Sequence, residues 1–252
     1  MPDGSQEMTF WDHLEELRGS LLRVAAALVA AMVGCFIAVP HIFDSVILAP
    51  AHGDFFLYRM LSGIFGSGSF GLDIININVT AQFMTHISTS FALAVLVVFP
   101  YLVYELWLFV RPALYRNESR PVSFVFFFGT AMFYVGCALG YALVFPITLR
   151  FLTEYSVSSA IVNHISLDSY MHSFVLIILV MGIVFELPLV TWLLSRLGVI
   201  NRAFLRQYRR HAVVVLLILA AIITPTGDPF TLTVVFLPLY LLYELGIWLA
   251  VK

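Results

Sequence analysis

The sequence predicts an all-α integral membrane protein of six transmembrane helices, and three observations carry that prediction. The chain of 252 residues is 61% hydrophobic and only 11% charged, less than half the charge share of a soluble domain. Its apolar residues gather into long runs separated by short polar or charged segments. Its arginines and lysines fall on alternate segments between those runs, as they do when loops alternate across a bilayer. A net charge of −2 gives no electrostatic case for nucleic acid.

The chain opens on a charged amphipathic stretch, Met8 to Arg23, that runs straight into the first apolar run. Thr9, followed three residues later by Asp12, is a helix-start signal. Phe10, Leu14, Leu17 and Leu21 recur at three- and four-residue spacing and share one helix face, with Glu15 and Arg18 off it. Such a helix lies at a membrane surface and puts Glu15 and Glu16 at the boundary between water and lipid. The first twenty residues carry five acids and no apolar core, so no cleavable signal is expected and the first span acts as its own targeting signal.

The spans are expected at about 21–43, 83–109, 122–145, 171–194, 212–223 and 230–251, in a single domain covering 1–252. Asp44 to Gln82, with Pro50 and a glycine- and serine-rich middle, reads as an extramembrane loop with one short helix. Pro100 bends the second span. Arg111 to Arg120 is a short charged loop. The third span is closed by Pro146, and Ile147 to Tyr170 is a second polar loop. The fourth span carries Glu186 and Pro188, and Ser195 to Arg210 is a basic loop. The fifth run is short, about twelve residues, or roughly 18 Å against about 30 Å of hydrocarbon, so local thinning of the bilayer is expected beside it. Thr224 to Pro229 is a tight turn. The sixth span holds Pro238 and Glu244.

Six spans place Arg18, Arg23, Arg111, Arg116, Arg120, Arg196, Arg202, Arg206, Arg209, Arg210 and Lys252 on one side, and Arg59 and Arg150 on the other. Eleven against two puts both termini in the cytoplasm.

Glu186 is the strongest anomaly, because a carboxylate within a span costs roughly 2.5 to 3.5 kcal/mol on insertion scales and must face protein or water. It suits a proton site, a substrate contact or a docking point for a partner helix; as a packing residue it would be protonated and hydrogen-bonded. Glu105 and Glu244 sit nearer the cytoplasmic ends of their helices, where they reach the interface. Glu118 lies among Arg111, Arg116 and Arg120, either a surface salt-bridge cluster or one of two acids acting with the head stretch. Cys35 and Cys137 lie inside apolar runs and read as small hydrophobes. The seven histidines show no metal-ligand spacing, and no cofactor is expected. Gly66-Ser67-Gly68-Ser69 lacks a partnered base and reads as a loop.

These motifs together resemble the TatC family, the multi-spanning core of the twin-arginine protein translocase. The family's amino-terminal signature is matched by Phe10, His13, Leu14, Glu16, Leu17 and Arg18. Its first cytoplasmic loop is matched by Trp107, Phe109, Pro112, Ala113, Leu114, Tyr115 and Glu118. Phe185, Glu186 and Pro188 match its fourth span, Thr224, Pro225 and Asp228 the turn before the last span, and Glu244 with Gly246 the last span itself. The resemblance runs from about Phe10 to the end of the chain. The long loop Asp44 to Gln82 is poorly matched, and Ser88 stands where many members carry a lysine.

The resemblance implies a curved, glove-like wall of six helices with both termini cytoplasmic, in the cell inner membrane. It implies a receptor, not an enzyme, for signal peptides bearing two consecutive arginines on folded precursors. Glu16 and Glu118 would pair the two guanidiniums, in a bidentate geometry lysine cannot reproduce. His13, Leu17, Arg18, Phe109, Pro112, Leu114 and Tyr115 would complete the peptide site. Glu186, with Pro188, Thr224, Pro225 and Asp228, would form an intramembrane polar site where the single-span partners TatA and TatB dock. Transport would be driven by the proton-motive force, with self-association in the receptor complex. The alternative is a small proton-coupled transporter using Glu186, which would call for further mid-membrane ionisable groups and internal symmetry. A membrane-embedded serine protease would need a serine and histidine on facing helices, and His172 and Ser173 are merely adjacent.

Overall fold

A computed structural model describes residues 10–60, 71–110, 121–158, 163–224 and 227–250, with 10–14, 110 and 121–125 described by backbone alone. The chain is helical almost throughout. Among the described residues, five helical segments are long and apolar enough to cross a membrane.

The first helix, α1, runs unbroken from Phe10 to Ile42 over 33 residues. The amphipathic head is therefore the first turns of the spanning helix and not a separate helix lying in the membrane plane. Leu21 of its leucine stripe is 61% exposed and Leu17 half-buried, while Ser20 is buried. A π-helical turn, Phe43–Ile47, and a 3-10 turn, Ala49–Ala51, follow. Short α2 is Phe56–Met60. Strand β1, Ile74–Ile75, pairs in parallel with β2, Ile165–Ser166. The glycine-rich Gly63 to Ser69 lies outside the described residues. Helix α3 is Ala81–Val110.

The third crossing departs from expectation. Helix α4, Pro121–Leu139, continues through a π-turn at Gly140–Val144 into α5, Phe145–Glu154. Pro146 does not close the span. It sits in the first turn of α5, where a missing N–H is tolerated. The segment from Ile147 to Glu154 is thus helix, not polar loop. The fourth crossing is split into α6, Leu167–Val184, and α7, Leu187–Arg196, because Pro188 cannot donate to the carbonyl one turn back. Short α8 is Arg202–Gln207, α9 is Arg209–Ile223 and α10 is Pro229–Leu249. At 15 residues, α9 spans only roughly 22 Å.

The helices form an open row. Helix α1 rests mainly on α3, α3 on α4 and α6, α4 on α6, α7 on α10, and α10 on α9. One close approach depends on glycine. A Cβ on Gly136 of α4 would stand 2.5 Å from the Met181 carbonyl oxygen of α6, and one on Gly182 would collide with Cys137 Sγ. Small residues let backbones meet in this way where no hydrophobic force drives helices together.

In hydrocarbon a backbone carbonyl must find a donor inside the protein, and the prolines inside α1 and α3 each free one. Pro40 in α1 cannot donate to the Phe36 carbonyl; the His86 ring of α3 donates to it instead, Nε2 to O 2.7 Å, stacked on Phe36 at 3.7 Å. Pro100 in α3 frees the Leu96 carbonyl, which accepts from the Tyr134 hydroxyl of α4 at 2.8 Å. The turns after α1 are held in the same manner. Tyr141 donates to the Val46 carbonyl at 2.8 Å and Tyr170 to that of Ile47 at 2.6 Å. The Tyr58 hydroxyl reaches the Pro50 carbonyl at 2.9 Å and that of Pro146 at 3.2 Å. Burial raises the Tyr58 pKa, so the phenol stays a donor. Buried Arg150 lies over the Tyr58 ring at 5.5 Å and pairs with Glu154 at 2.7 Å.

Tyr134→Phe leaves the Leu96 carbonyl unpaired and should cost about 1 kcal/mol. In a Pro100→Ala background, where the helix supplies its own donor, the same change should cost little. Thermal melts of the four proteins in detergent check this, and simple additivity would contradict it. Gly136→Ala should cost about 1 to 3 kcal/mol through overpacking against α6, read in the same melts.

Candidate functional site

Two polar groupings stand out against the apolar wall, and each is built from sequence-distant helices. The first lies where α1 begins and α3 ends. Along one face of α1 recur Glu16, Ser20 and Arg23, at four- and three-residue spacing. Arg23 grips Glu105 of α3 with two bonds, Nε to Oε1 and Nη2 to Oε2, both 2.8 Å. Its Nη2 also donates to Ser20 Oγ at 2.9 Å, and the Tyr101 hydroxyl donates to Glu105 Oε1 at 2.7 Å. Glu105 is 4% exposed. A carboxylate so placed is tolerated because every strong acceptor on it is used.

Glu16 differs. It is half-buried, and its Oε2 is buried with no hydrogen-bond partner among the described residues. It stands seven residues before Arg23, while Glu105 stands five before Val110. The pairing therefore brings Glu16 roughly level with the end of α3. Leu17 is half-buried, Arg18 exposed and Phe109, in the last turn of α3, half-buried. His13 is placed by its backbone alone. Pro112, Leu114, Tyr115 and Glu118 lie outside the described residues, and so does the expected meeting of Glu16 with Glu118.

The second grouping surrounds the break in the fourth crossing. Glu186 precedes the first turn of α7, with buried Pro188 two residues on, and caps nothing with its side chain. Its Oε1 is buried without a partner among the described residues, as are Trp107 Nε1 of α3 and Thr130 Oγ1 of α4. Gly129 marks where the three elements meet. A Cβ there would stand 2.8 Å from Leu189, 3.3 Å from Glu186 Oε2 and 3.6 Å from Val103. Trp107 packs on Leu189, with Phe128 and Trp192 beside them.

Other expected members of this polar site lie elsewhere. Asp228 caps α10, its Oδ1 accepting from the Thr231 N–H at 2.7 Å. Thr224 ends α9 and donates to the Ala221 carbonyl at 3.4 Å. Gly246 of α10 abuts Thr191 of α7, so Asp228 stands roughly 20 Å from Glu186 along the helix axes. Pro225 lies outside the described residues. Glu244 is paired with Arg209 at 2.6 Å and accepts from Tyr240 at 3.2 Å.

Sequence reading passes over the Arg23–Glu105 pair. Its signal is opposite charges at similar depth in two consecutive apolar runs, with Tyr101 one turn before the acid.

Comparison with known proteins gives one answer. The family model for Sec-independent protein translocase protein (TatC) matches residues 12–238. The Blattabacterium protein named Sec-independent protein translocase protein TatC is 34% identical over 99% of this chain and 97% of its own. That of Helicobacter pylori J99 is 33% identical over 94% of this chain and 87% of its own. Two crystal structures of the twin-arginine translocase receptor TatC superpose with TM-scores of 0.76 and 0.79, at 27% and 26% identity. They cover 94% and 95% of this chain, and 97% and 100% of theirs.

A buried acid with an unpaired oxygen is not there for stability. Glu186→Met, of similar volume, should keep or raise the melting temperature in detergent. A fall of more than about 4 °C, the shift that ~1 kcal/mol gives in a chain of this size, would reveal a structural role instead.

Proposed function

This chain belongs to the TatC family of Sec-independent protein translocase proteins, and from that premise we propose that it is the receptor that binds twin-arginine signal peptides of folded precursors. The site is cytoplasmic and uses Glu16 and Glu118, with His13, Leu17, Arg18, Phe109, Pro112, Leu114 and Tyr115 around them. The single observation that supports this most is the unpaired Oε2 of Glu16 at the end of the row where α1 begins. An acid held half out of water, with no described internal cation on it, attracts an external one. Two such acids at a low-dielectric boundary select guanidinium over ammonium, because only the planar fork bonds both carboxylate oxygens.

The protein is a multi-pass membrane protein of the translocation machinery. Its six crossings, α9 being the short fifth, put both termini in the cytoplasm of a cell with this protein in its inner membrane, by the arginine distribution. Glu186 and Pro188 at the α6–α7 break offer an intramembrane polar contact to TatA- and TatB-type single-span subunits, with proton-motive-force-driven transport following their assembly and self-association of the receptor.

The test is site-specific crosslinking of a twin-arginine signal peptide to the protein in native membranes. Glu16→Ala, Glu118→Ala and a twin-lysine peptide should each lower crosslinking near both acids about tenfold or more, as loss of a charge-assisted bond does. Crosslinking indifferent to all three changes would sink the receptor reading and turn attention to Glu186 as a proton-transport site.

A further inference from the structure

We propose that Glu105 is a positioning residue for the guanidinium site: by gripping Arg23 it keeps that cation off Glu16, and so leaves Glu16 open to an arginine-bearing ligand. The inference rests on the receptor reading above and adds a specificity device to it.

Glu16, Ser20 and Arg23 lie along one face of α1. Long helical side chains lean toward the helix N-terminus, and Arg23 does so. Its Nη2 bonds Ser20 Oγ at 2.9 Å, and a Cβ on Gly19 would stand 3.4 Å from its Nη1. The guanidinium therefore lies over Gly19 and Ser20. Glu16 is three residues before Gly19, roughly 4.5 Å further along the axis, within a rotamer change of an arginine head. Yet Glu16 Oε2 has no partner among the described residues. The reason is visible in α3: both oxygens of buried Glu105 hold the guanidinium in a fork-to-fork pair, and Tyr101 fixes the carboxylate from the other side. The remaining charged groups on this turn of the helix, Glu15 and Arg18, are exposed and off that face.

The charges on this face do not balance. On it and the facing surface of α3 stand one described cation, Arg23, and two described acids, Glu16 and Glu105. The buried acid takes the cation, and the acid nearer water is left uncompensated. Remove the charge on Glu105 and the cation's best remaining partner is Glu16, which would then be neutralised from within and compete against any incoming guanidinium.

The test uses the full chain in nanodiscs with a fluorescent twin-arginine signal peptide, comparing wild type, Glu105→Gln and the double variant Glu105→Gln/Arg23→Gln. Glutamine keeps the shape of Glu105 and its bond from Tyr101. Glu105→Gln should weaken binding about tenfold, the worth of one charge-assisted hydrogen bond. The double variant, with the competing cation gone, should bind within about threefold of wild type. A double variant no better than Glu105→Gln would overturn the inference and show that the pair only holds α1 on α3. An unchanged affinity in Glu105→Gln would overturn it too. Wild type binding twin-arginine and twin-lysine peptides alike would bring down the receptor reading itself, a result distinct from either.

Discussion

The constraint on which the rest of the structure depends is that a backbone carbonyl inside hydrocarbon has no water to turn to. A chain with prolines inside its spanning helices must supply a donor wherever one of them withdraws an N–H. For Pro40 and Pro100 the supply is an aromatic side chain of a neighbouring helix, His86 to Phe36 and Tyr134 to Leu96, and Tyr141 and Tyr170 hold the carbonyls of Val46 and Ile47 in the turn after α1 in the same way. Each bond both repairs a helix and ties it to a neighbour. Losing one of these donors therefore also loosens a helix–helix contact.

The arrangement explains how α1 stays in place. It touches essentially one helix along its length and shows large apolar side chains, among them Leu21, Val29, Val33 and Ile37, to its surroundings. The hydrophobic effect supplies little between helices in lipid, where the tails are as apolar as leucine. The anchoring is polar and concentrated at the two ends of the helix. At one end are the Arg23–Glu105 fork and Ser20; at the other are His86 on Phe36 and the tyrosines on Val46 and Ile47. Between them the helix needs only a smooth surface.

How much of this was legible in the sequence follows from what acts locally. The helical membrane class is legible because composition and apolar run length are properties of contiguous residues. The break at Glu186 is legible in part, because Pro188 and a charge within an apolar run are both visible without a fold. The capping role of Asp228 is legible in the chain itself: an aspartate with Thr231 three residues on, ahead of Pro229 and an apolar run, is a helix start. Its carboxylate is occupied by α10. Pro146 misleads for the opposite reason, since the π-turn that lets the helix pass it leaves no compositional mark. Pairings such as Arg23 with Glu105, separated by 82 residues, need the fold before they can be seen.

The acids of this chain then sort by what the fold does with them. Glu105 takes Arg23, Glu154 takes Arg150, Glu244 takes Arg209 and Asp228 takes a helix N-terminus. Each of these is satisfied from within, and breaking the pair at buried Glu105 or at buried Arg150 would leave a buried charge without compensation, a costly fault. Glu16 and Glu186 keep a buried oxygen with no described partner. In a protein that satisfies the carbonyls freed by Pro40 and Pro100 and four of its acids from within, these two buried oxygens stand apart. Natural structures break local rules where function requires it, and the two exceptions fall on different elements, one where α1 begins and one at the break between α6 and α7. An acid left open at a helix end is suited to an external cation. An acid left open within the wall is suited to a donor carried in on another helix. On the function proposed above, the first would serve recognition and the second assembly.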